Sequence, residues 1–175
     1  GFVFQFHNLL PEFTALENVM IPGLIGKGDD KVIKQRAISI LEMLGLKDRM
    51  DHKPSELSGG EQQRVAVARA MINSPDLILA DEPGTALDVT VQEQTLRLMR
   101  QLTEQANSAV LLITHNLGVV REFADRVYVM YAGNIVEEGS TKVIFSSPKH
   151  PYTQSLMNSV PKLTGVALPQ GIDGF

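Results

Sequence analysis

The chain has 175 residues, which is long enough for one domain with a hydrophobic core. Its hydrophobic content of 43% and charged content of 21% are typical of globular proteins. The net charge of −4 argues against a general nucleic-acid binder, because such proteins bind by neutralising phosphates. The absence of cysteine excludes disulfides and cysteine-ligated metals, and no apolar stretch approaches the roughly twenty residues that span a bilayer.

The first 75 residues are predicted to be helical and rich in loops. Residues 2–5 have the composition of the end of a strand, whereas prolines and glycines predict an apolar loop over residues 8–28. An amphipathic helix is predicted over residues 31–44, because apolar side chains recur there every three or four positions. A polar connector over residues 48–56 leads to a second helix, predicted over residues 58–74.

From residue 76 onwards, the pattern alternates between strands and helices. Apolar runs and helical periodicity predict a strand at 77–81, a helix at 89–105, a strand at 109–114, a short helix near 117–124 and a hairpin over 127–139. Residues 148–175 carry four prolines and little periodicity, so no element is predicted there.

The helix predicted to begin at Ser58 has the features of an anion site. Ser58 and Glu61 have the spacing of a capping box, and Gly59 and Gly60 occupy the first turn. Glycines leave the free backbone N–H groups of that turn uncovered, and the helix dipole favours negative charge there, so phosphate is the expected ligand. The alternative interpretation is an ordinary capped helix without a ligand.

Acidic and imidazole side chains follow the two predicted strands. Asp81 and Glu82 end the strand at 77–81, and His115 follows the strand at 109–114. Open α/β sheets bind ligands at the carboxyl ends of their strands, so these side chains form a candidate site. Adjacent strand residues point to opposite faces, so both acids can serve one site only if the strand ends there. The alternatives are a solvated turn for the acids and, for the histidine, a surface position or a position beside a helix N-cap at Thr114.

Taken in order, five motifs resemble the nucleotide-binding domain of ABC-type ATPases: Gln5, LSGGEQQ at 57–63, LILADEP at 77–83, Leu87-Asp88 and His115. The resemblance covers the chain up to about residue 160. It implies an α/β fold of the P-loop NTPase type with a helical subdomain. It also implies an ATPase that uses ATP and Mg²⁺ in transport. The implied parts are a Q-loop and helical subdomain at 1–75, a catalytic core at 76–147 and a C-terminal extension at 148–175.

The resemblance assigns catalytic roles to four residues. Asp81 is the acid that holds Mg²⁺, and Gln5 reaches the same ion and the attacking water. Glu82 is the general base that polarises this water, a role worth about 10²–10⁴-fold in rate. His115 contacts the γ-phosphate.

The resemblance also assigns residues to the opposite side of a dimer interface. Ser58, Gly59, Gly60 and Gln62 belong to the signature segment, which closes over nucleotide held by the opposite subunit. Asp88 links the two sites across the dimer. Asp88 also has the position of a helix N-cap, and the two roles are compatible.

One motif of the family is missing from these residues. The phosphate-binding loop G-x-x-x-x-G-K-[ST] does not occur, and Gly26-Lys27 is not a substitute, since Ile21 and Gly28 stand where Gly and Ser or Thr belong. We therefore expect the chain to be a piece of a longer protein that lacks its first strands and phosphate loop. Alone, we expect it to bind nucleotide very weakly and to act at most as a non-enzymatic interaction module.

Different segments of the sequence resemble different subfamilies of ABC ATPases. Residues 4–19 resemble lipoprotein-releasing and macrolide-exporting ATPases, whereas residues 86–92, 114–120 and 148–163 resemble oligopeptide and dipeptide importers. The importer interpretation is favoured, because a tail is more specific to a subfamily than a loop; a mosaic stays open. The implied partners are a second ABC ATPase subunit and transmembrane permease subunits, at the inner face of the cell membrane. A non-transport ABC ATPase is the remaining alternative, although its usual fused cassettes or coiled coil are not visible.

Overall fold

Three short parallel strands form the sheet that carries the acidic segment. In the computed structural model, which describes residues 1–84 and 87–159, β1 (Phe2–Val3), β2 (Leu77–Asp81) and β3 (Ala109–Ile113) lie side by side in that order. Val3 pairs with Ala80 in β2, and Asp81 pairs with Ile113 in β3. The strands predicted from residues 77 and 109 are therefore confirmed, whereas the strand predicted over 2–5 covers only its first two residues.

The burial of β2 and β3 differs from the expectation for continuous apolar strands. In β2, Ile78 and Ala80 are buried and Leu77 is 45% exposed, so burial alternates between the two faces. In β3, Leu111 is 46% exposed and Ile113 is 53% exposed. An apolar run shows that a strand can be covered on both faces, but it does not identify the neighbours that cover it.

Four helices build the core around the sheet. They are α1 (Ala15–Ile25), α2 (Asp30–Met43), α3 (Gly59–Met71) and α4 (Val89–Gln105). The helices α1 and α2 pack on each other and on α3, and α3 also contacts α4 and β1. Apolar side chains fill the space between them, among them Val19, Ala37, Leu41, Val65, Val67, Ala68 and Leu96. Burying one Leu or Val side chain contributes about 1.5–3 kcal/mol, so this packing fixes the position of α3.

Helix α1 corrects the loop predicted over residues 8–28. Thr14 and Glu17 form a capping box: the Glu17 N–H donates to the Thr14 hydroxyl at 3.2 Å, and the Thr14 N–H donates to the Glu17 carboxylate at 2.8 Å. The Thr14 N–H is the main reason why the pKa of Glu17 is lowered. Pro22 lies inside the helix, at a cost of roughly 3 kcal/mol in propensity. Burial of one face of α1, including Ala15 and Val19, outweighs that cost.

Helix α2 confirms the prediction for residues 31–44 and ends in a Schellman motif. Gly45 has a φ of +70°, and its N–H donates to the Glu42 carbonyl at 3.0 Å. The Leu46 N–H donates to the Leu41 carbonyl at 2.9 Å. Glycine adopts this left-handed conformation without steric cost, so Gly45 stops the helix and turns the chain towards α3.

A hairpin forms the centre of the second part of the chain. Helix α5 (Leu117–Phe123) precedes β4 (Arg126–Tyr131), which pairs antiparallel with β5 (Asn134–Ser140). Ala132 and Gly133 form the two-residue turn, with φ values of +47° and +79°. Such a turn matches the twist of a hairpin, which explains why the sequence predicted it correctly.

Two helices follow the hairpin, α6 (Thr141–Ser146) and α7 (Pro151–Ser159). Helix α7 lies where no element was predicted, and Glu137 of β5 accounts for it. The Glu137 carboxylate accepts hydrogen bonds from the N–H groups of Lys149 at 2.8 Å and His150 at 2.9 Å, just before the helix begins. The nearby hydroxyl of Thr153 and these two amides lower the pKa of Glu137. The tail signal over residues 160–163 lies outside the described residues.

Packing divides the chain into two compact units, Gly1–Val119 and Val120–Phe175. This division differs from the three functional parts predicted at 1–75, 76–147 and 148–175, and those parts stay a prediction. Within residues 1–84 and 87–159, no helix combines the length and the apolar character that crossing a bilayer requires.

Candidate functional site

The carboxyl edge of the sheet brings the predicted catalytic residues together. Asp81 is the last residue of β2 and pairs with Ile113, the last residue of β3. Glu82 follows the first of these strands, and His115 lies two residues beyond the second. Gln5 follows β1, is half-buried and lies in a bend at the same edge. The parallel register therefore puts the backbone of these residues at one end of one sheet, and their roles stay predictions.

Glu82 leaves the strand through a left-handed backbone conformation. Its φ is +45°, which is uncommon for a residue other than glycine. Its N–H donates to the Ile113 carbonyl at 2.9 Å, so the turn is attached to the end of β3. The strand thus ends at Asp81, and the strict alternation of strand side chains no longer applies to Glu82. Asp81 and Glu82 can for this reason serve one site.

Glu82 and His115 form one hydrogen-bonded unit. The Glu82 carboxylate accepts from the His115 N–H at 3.0 Å and lies 2.5 Å from the ring Nδ1 of His115. An ionised carboxylate only accepts hydrogen bonds, so Nδ1 carries the proton in this pair and Nε2 is left for another partner. The His115 side chain is 77% exposed, so Nε2 is accessible to a ligand. The pair joins a base to a hydrogen-bonding group that faces solvent.

Thr114 is a member of this site that the sequence suggested only as a helix cap. Its hydroxyl donates to the second oxygen of the Glu82 carboxylate at 3.2 Å. The same hydroxyl accepts from the Asn116 N–H at 3.1 Å, but the side chain that caps α5 is Asn116, whose amide oxygen accepts from the N–H groups of Gly118 and Val119, so the expected cap at Thr114 is wrong. The contact with Glu82 could not be predicted from the position of Thr114 alone, because it joins residues 32 positions apart.

The oxygen donors at this edge suit Mg²⁺. Magnesium prefers oxygen ligands, keeps several waters and takes only one or two protein carboxylates beside substrate phosphates. Asp81 is the exposed last residue of β2, and Gln5, which carries an amide oxygen, follows β1 at the same edge of the sheet. Among the residues that the structure describes, no group of three or more His, Asp or Glu side chains forms a dedicated metal cage. One carboxylate and one amide oxygen at this edge match the small number of protein ligands that Mg²⁺ takes beside substrate phosphates.

The start of α3 is a capped helix terminus, as predicted. The Glu61 N–H donates to the Ser58 hydroxyl at 3.3 Å, and the Ser58 N–H donates to the Glu61 carboxylate at 2.7 Å. Hydrogen bonding from the Ser58 backbone is the main cause of the lowered pKa of Glu61. Arg49 also binds this carboxylate, at 3.1 Å. Ser58 itself is exposed, so the terminus faces solvent while its cap is held in place from within the chain.

The two glycines of the signature segment differ in environment, which corrects the expectation that both are bare. Gly59 is exposed, whereas Gly60 is buried. A Cβ at Gly60 would lie only 2.5 Å from Cγ1 of Val91, so the absence of a side chain allows α3 and α4 to approach closely. Gly60 thus has a packing role on its own chain, and Gly59 is the glycine whose backbone faces outwards.

Two further predicted residues have local structural contacts. The side-chain amide of Gln62 donates to the carbonyls of Pro54 at 3.0 Å and Leu57 at 3.1 Å, and so orders the connector before Ser58. Asp88 is exposed and caps α4, since its carboxylate accepts from the Val91 N–H at 3.0 Å. The capping role of Asp88 is confirmed; contacts of Gln62 and Asp88 across a dimer stay predictions. Thr85 and Ala86, which precede Asp88, lie outside the described residues.

Comparison with known families identifies two matching regions. Residues 1–85 match the family described as ABC transporter. Residues 136–171 match the family described as oligopeptide/dipeptide transporter, C-terminal region.

Individual relatives agree with these matches. A putative peptide import ATP-binding protein of Brucella melitensis is 44% identical over 169 residues, which cover 93% of this chain and 50% of that protein. The lipoprotein-releasing system ATP-binding protein LolD of Pseudomonas syringae pv. tomato is 50% identical over 137 residues, covering 78% of this chain and 60% of that protein. The chain therefore spans about half the length of the curated relatives it matches.

A solved structure has the same fold. The ATP-binding cassette MJ0796, in a dimeric post-hydrolysis state bound to ADP and Pi, superposes with a TM-score of 0.69 at 42% identity. The match covers 81% of this chain and 62% of that one. This neighbour, the two family matches and the order of the motifs at the sheet edge agree with one another. The chain belongs to the ABC transporter family of ATP-binding proteins and has the fold of an ABC ATPase.

Proposed function

We propose that this chain forms the catalytic edge of an ATP-hydrolysing subunit that energises the uptake of peptides or similar substrates. The pairing of Glu82 with His115 beside Asp81 carries this proposal. It places a base, a hydrogen-bonding group and an oxygen ligand for a metal at the carboxyl ends of adjacent parallel strands, where α/β proteins bind ligands.

In this mechanism, each residue at the edge has one task. Glu82 accepts a proton from the attacking water or polarises it, and its hydrogen bonds from Thr114 and His115 hold the carboxylate in one orientation. With the Nδ1 proton directed at Glu82, Nε2 of His115 accepts a hydrogen bond from the attacking water, and it donates to the γ-phosphate when the ring carries a second proton there. Asp81 and Gln5 would hold Mg²⁺, which neutralises charge on the phosphoryl oxygens when bound.

The exposed N-terminus of α3 would complete a nucleotide site whose other residues belong to a second subunit. Gly59 presents its backbone N–H and Ser58 its hydroxyl at a helix N-terminus, where the dipole favours the γ-phosphate. We propose that this terminus faces nucleotide held by a second ABC ATPase subunit and that Asp88 joins the two sites. Membrane permease subunits are the second partner, so the assembly would lie on the inner face of the cell membrane.

Substitution of Glu82 tests the base. In a chain that carries a phosphate loop ahead of residue 1, we expect Glu82→Gln to lower ATP turnover by about 10²–10⁴-fold, because the amide cannot take a proton. Glutamine keeps an acceptor oxygen for the His115 N–H, so the fold should be unchanged. Glu104→Gln is the control, since Glu104 is an exposed residue of α4 that forms an ion pair with Arg100. Phosphate release is the measurement, and turnover retained by Glu82→Gln would refute the assignment.

The 175-residue chain, tested without an added phosphate loop, should bind MgATP very weakly. The backbone and lysine of the phosphate loop supply the main ground-state contacts to the β- and γ-phosphates, and this sequence contains no such loop. Calorimetric titration with MgATP measures this affinity. Binding in the micromolar range would show that other groups of the chain hold the phosphates.

Lipoprotein release or macrolide export is the second candidate, because the LolD protein of Pseudomonas syringae is 50% identical over its matched region. The match of residues 136–171 to the peptide-transporter C-terminal region favours import. Co-purification with the permease subunits of the host separates the two: peptide permeases support import, and lipoprotein-releasing subunits support the alternative. Recovery on ribosomes or DNA would support a non-transport ABC ATPase instead.

A further inference from the structure

Arg69 binds the segment that follows Gln5. From α3, its guanidinium donates to the carbonyl of Asn8 at 2.6 Å and to the carbonyl of His7 at 2.8 Å. These residues are 61 and 62 positions away in sequence, so the contact joins two distant parts of the first compact unit. Arginine has donors in a rigid planar fork, and binding two successive carbonyls fixes the orientation of that stretch of backbone.

Arg69 is half-buried, and its bond to Asn8 is exposed while its bond to His7 is partly buried. Burial lowers the pKa of Arg69, so the cation has lost part of its hydration. Among the described residues, no carboxylate forms an ion pair with it, and the two backbone carbonyls are the polar groups that compensate for burial. Removing the guanidinium would therefore leave two carbonyls without their charged donor.

The same segment also lies near the start of α3, as the pKa of His7 indicates. The pKa of His7 is lowered mainly by burial, and a hydrogen bond with the backbone of Gly59 acts against this effect. Gly59 and Arg69 are ten residues apart, or about 15 Å along a helix. Long helical side chains point back towards the N-terminus, so Arg69 reaches towards His7 from the far end. The segment after Gln5 thus lies along α3, and the two hydrogen bonds from Arg69 hold it there.

We propose that Arg69 is a positioning residue, which ties the Gln5 segment to the signature helix α3 so that the two move as one body. This inference rests on the proposed function, in which Gln5 and the start of α3 contact phosphate groups in different sites. Arg69 does not touch those groups. It acts through the backbone of residues 7–8 and fixes how far Gln5 can move relative to Ser58.

The first test measures local order and needs no nucleotide. In the 175-residue chain, NMR order parameters of residues 5–8 should fall from the rigid range, about 0.85, to below about 0.6 in Arg69→Met. Arg69→Lys should give an intermediate value, because an ammonium can reach one carbonyl but lacks the fork. Arg97→Met is the control, since Arg97 binds Glu93 one turn away on α4. Unchanged order parameters in Arg69→Met would overturn the proposal.

The second test uses turnover in the chain that carries a phosphate loop. We expect Arg69→Met to lower kcat at least tenfold while KM for ATP stays within about twofold, and Arg69→Lys to recover part of kcat. A purely structural loss would lower the amount of folded enzyme without this recovery. If Glu82→Gln retains turnover, the proposed function fails; if Glu82→Gln is inactive but Arg69→Met has normal kcat, only the role of Arg69 fails. If Arg69→Met does not fold, Arg69→Lys alone decides the outcome.

Discussion

The close packing of α3 on α4 predicts opposite effects for alanine at the two signature glycines. Gly60→Ala would place a Cβ 2.5 Å from Cγ1 of Val91, about 1.0–1.5 Å inside the normal contact distance of 3.5–4.0 Å. Val91 is β-branched and has one strongly preferred rotamer in a helix, so it cannot easily turn away. At Gly59, the nearest atom to the added Cβ is Cδ2 of Leu87 at 3.2 Å, the flexible end of a side chain.

The expected change in the free energy of unfolding is the sum of two opposing contributions. Overpacking a close contact costs typically 1–3 kcal/mol, whereas alanine in place of a helical glycine gains roughly 0.5–1 kcal/mol. We therefore expect Gly60→Ala to lower the free energy of unfolding by about 1–2 kcal/mol. For Gly59→Ala, the steric term is small, so its stability should be unchanged or higher by up to about 1 kcal/mol.

Urea denaturation followed by far-UV circular dichroism measures these differences through the midpoint at constant m-value. The double variant Gly60→Ala/Val91→Ala identifies the contact, because removing Cγ1 of Val91 removes the clash. We expect a favourable coupling energy of about 1–2 kcal/mol in this double-mutant cycle. The packing argument would be refuted if Gly60→Ala were as stable as Gly59→Ala, or if Val91→Ala gave no recovery.

Two further predictions concern buried or shared polar groups. The pKa of Glu137 is lowered in the folded chain, so the stability that it contributes is present above its unfolded pKa and is lost as the pH falls through its folded pKa. We therefore expect the backbone amides of Lys149 and His150, just before α7, to exchange faster with solvent below about pH 4.5 in the wild-type chain. Glu137→Gln should lose this pH dependence, whereas the control Glu138→Gln should keep it. Identical pH profiles of exchange in the two variants would contradict the role of Glu137. Asn18 is fully buried, and its amide donates to three backbone carbonyls at 3.0–3.1 Å. Asn18→Asp places a carboxylate against those carbonyls and should cost more than about 2 kcal/mol at neutral pH, which urea denaturation would show; wild-type stability would contradict the hydrogen-bond assignment.

The sequence predicted the features that depend on neighbouring residues. The capping box of Ser58 and Glu61, the cap at Asp88 and the turn at Gly133 follow from contacts within a few positions, so spacing alone indicates them. The apolar run before Asp81 likewise predicted a strand, and parallel pairing then placed its acids at one edge. The missed helix α1 had such a signal in Thr14 and Glu17, but Pro22 argued against it and the burial of its apolar face decided the outcome.

Tertiary structure alone decided the contacts between distant residues. The hydrogen bonds of Glu82 to His115 join positions 33 apart, and those of Arg69 to the carbonyls of His7 and Asn8 join positions 61 and 62 apart. The burial of Gly60 depends on where α4 lies beside α3, which no spacing within the signature segment encodes. The sequence thus determined which chemical groups are present and which local turns they favour. Packing determined which of those groups meet, because the burial of apolar surface fixes the distance between helices and strands.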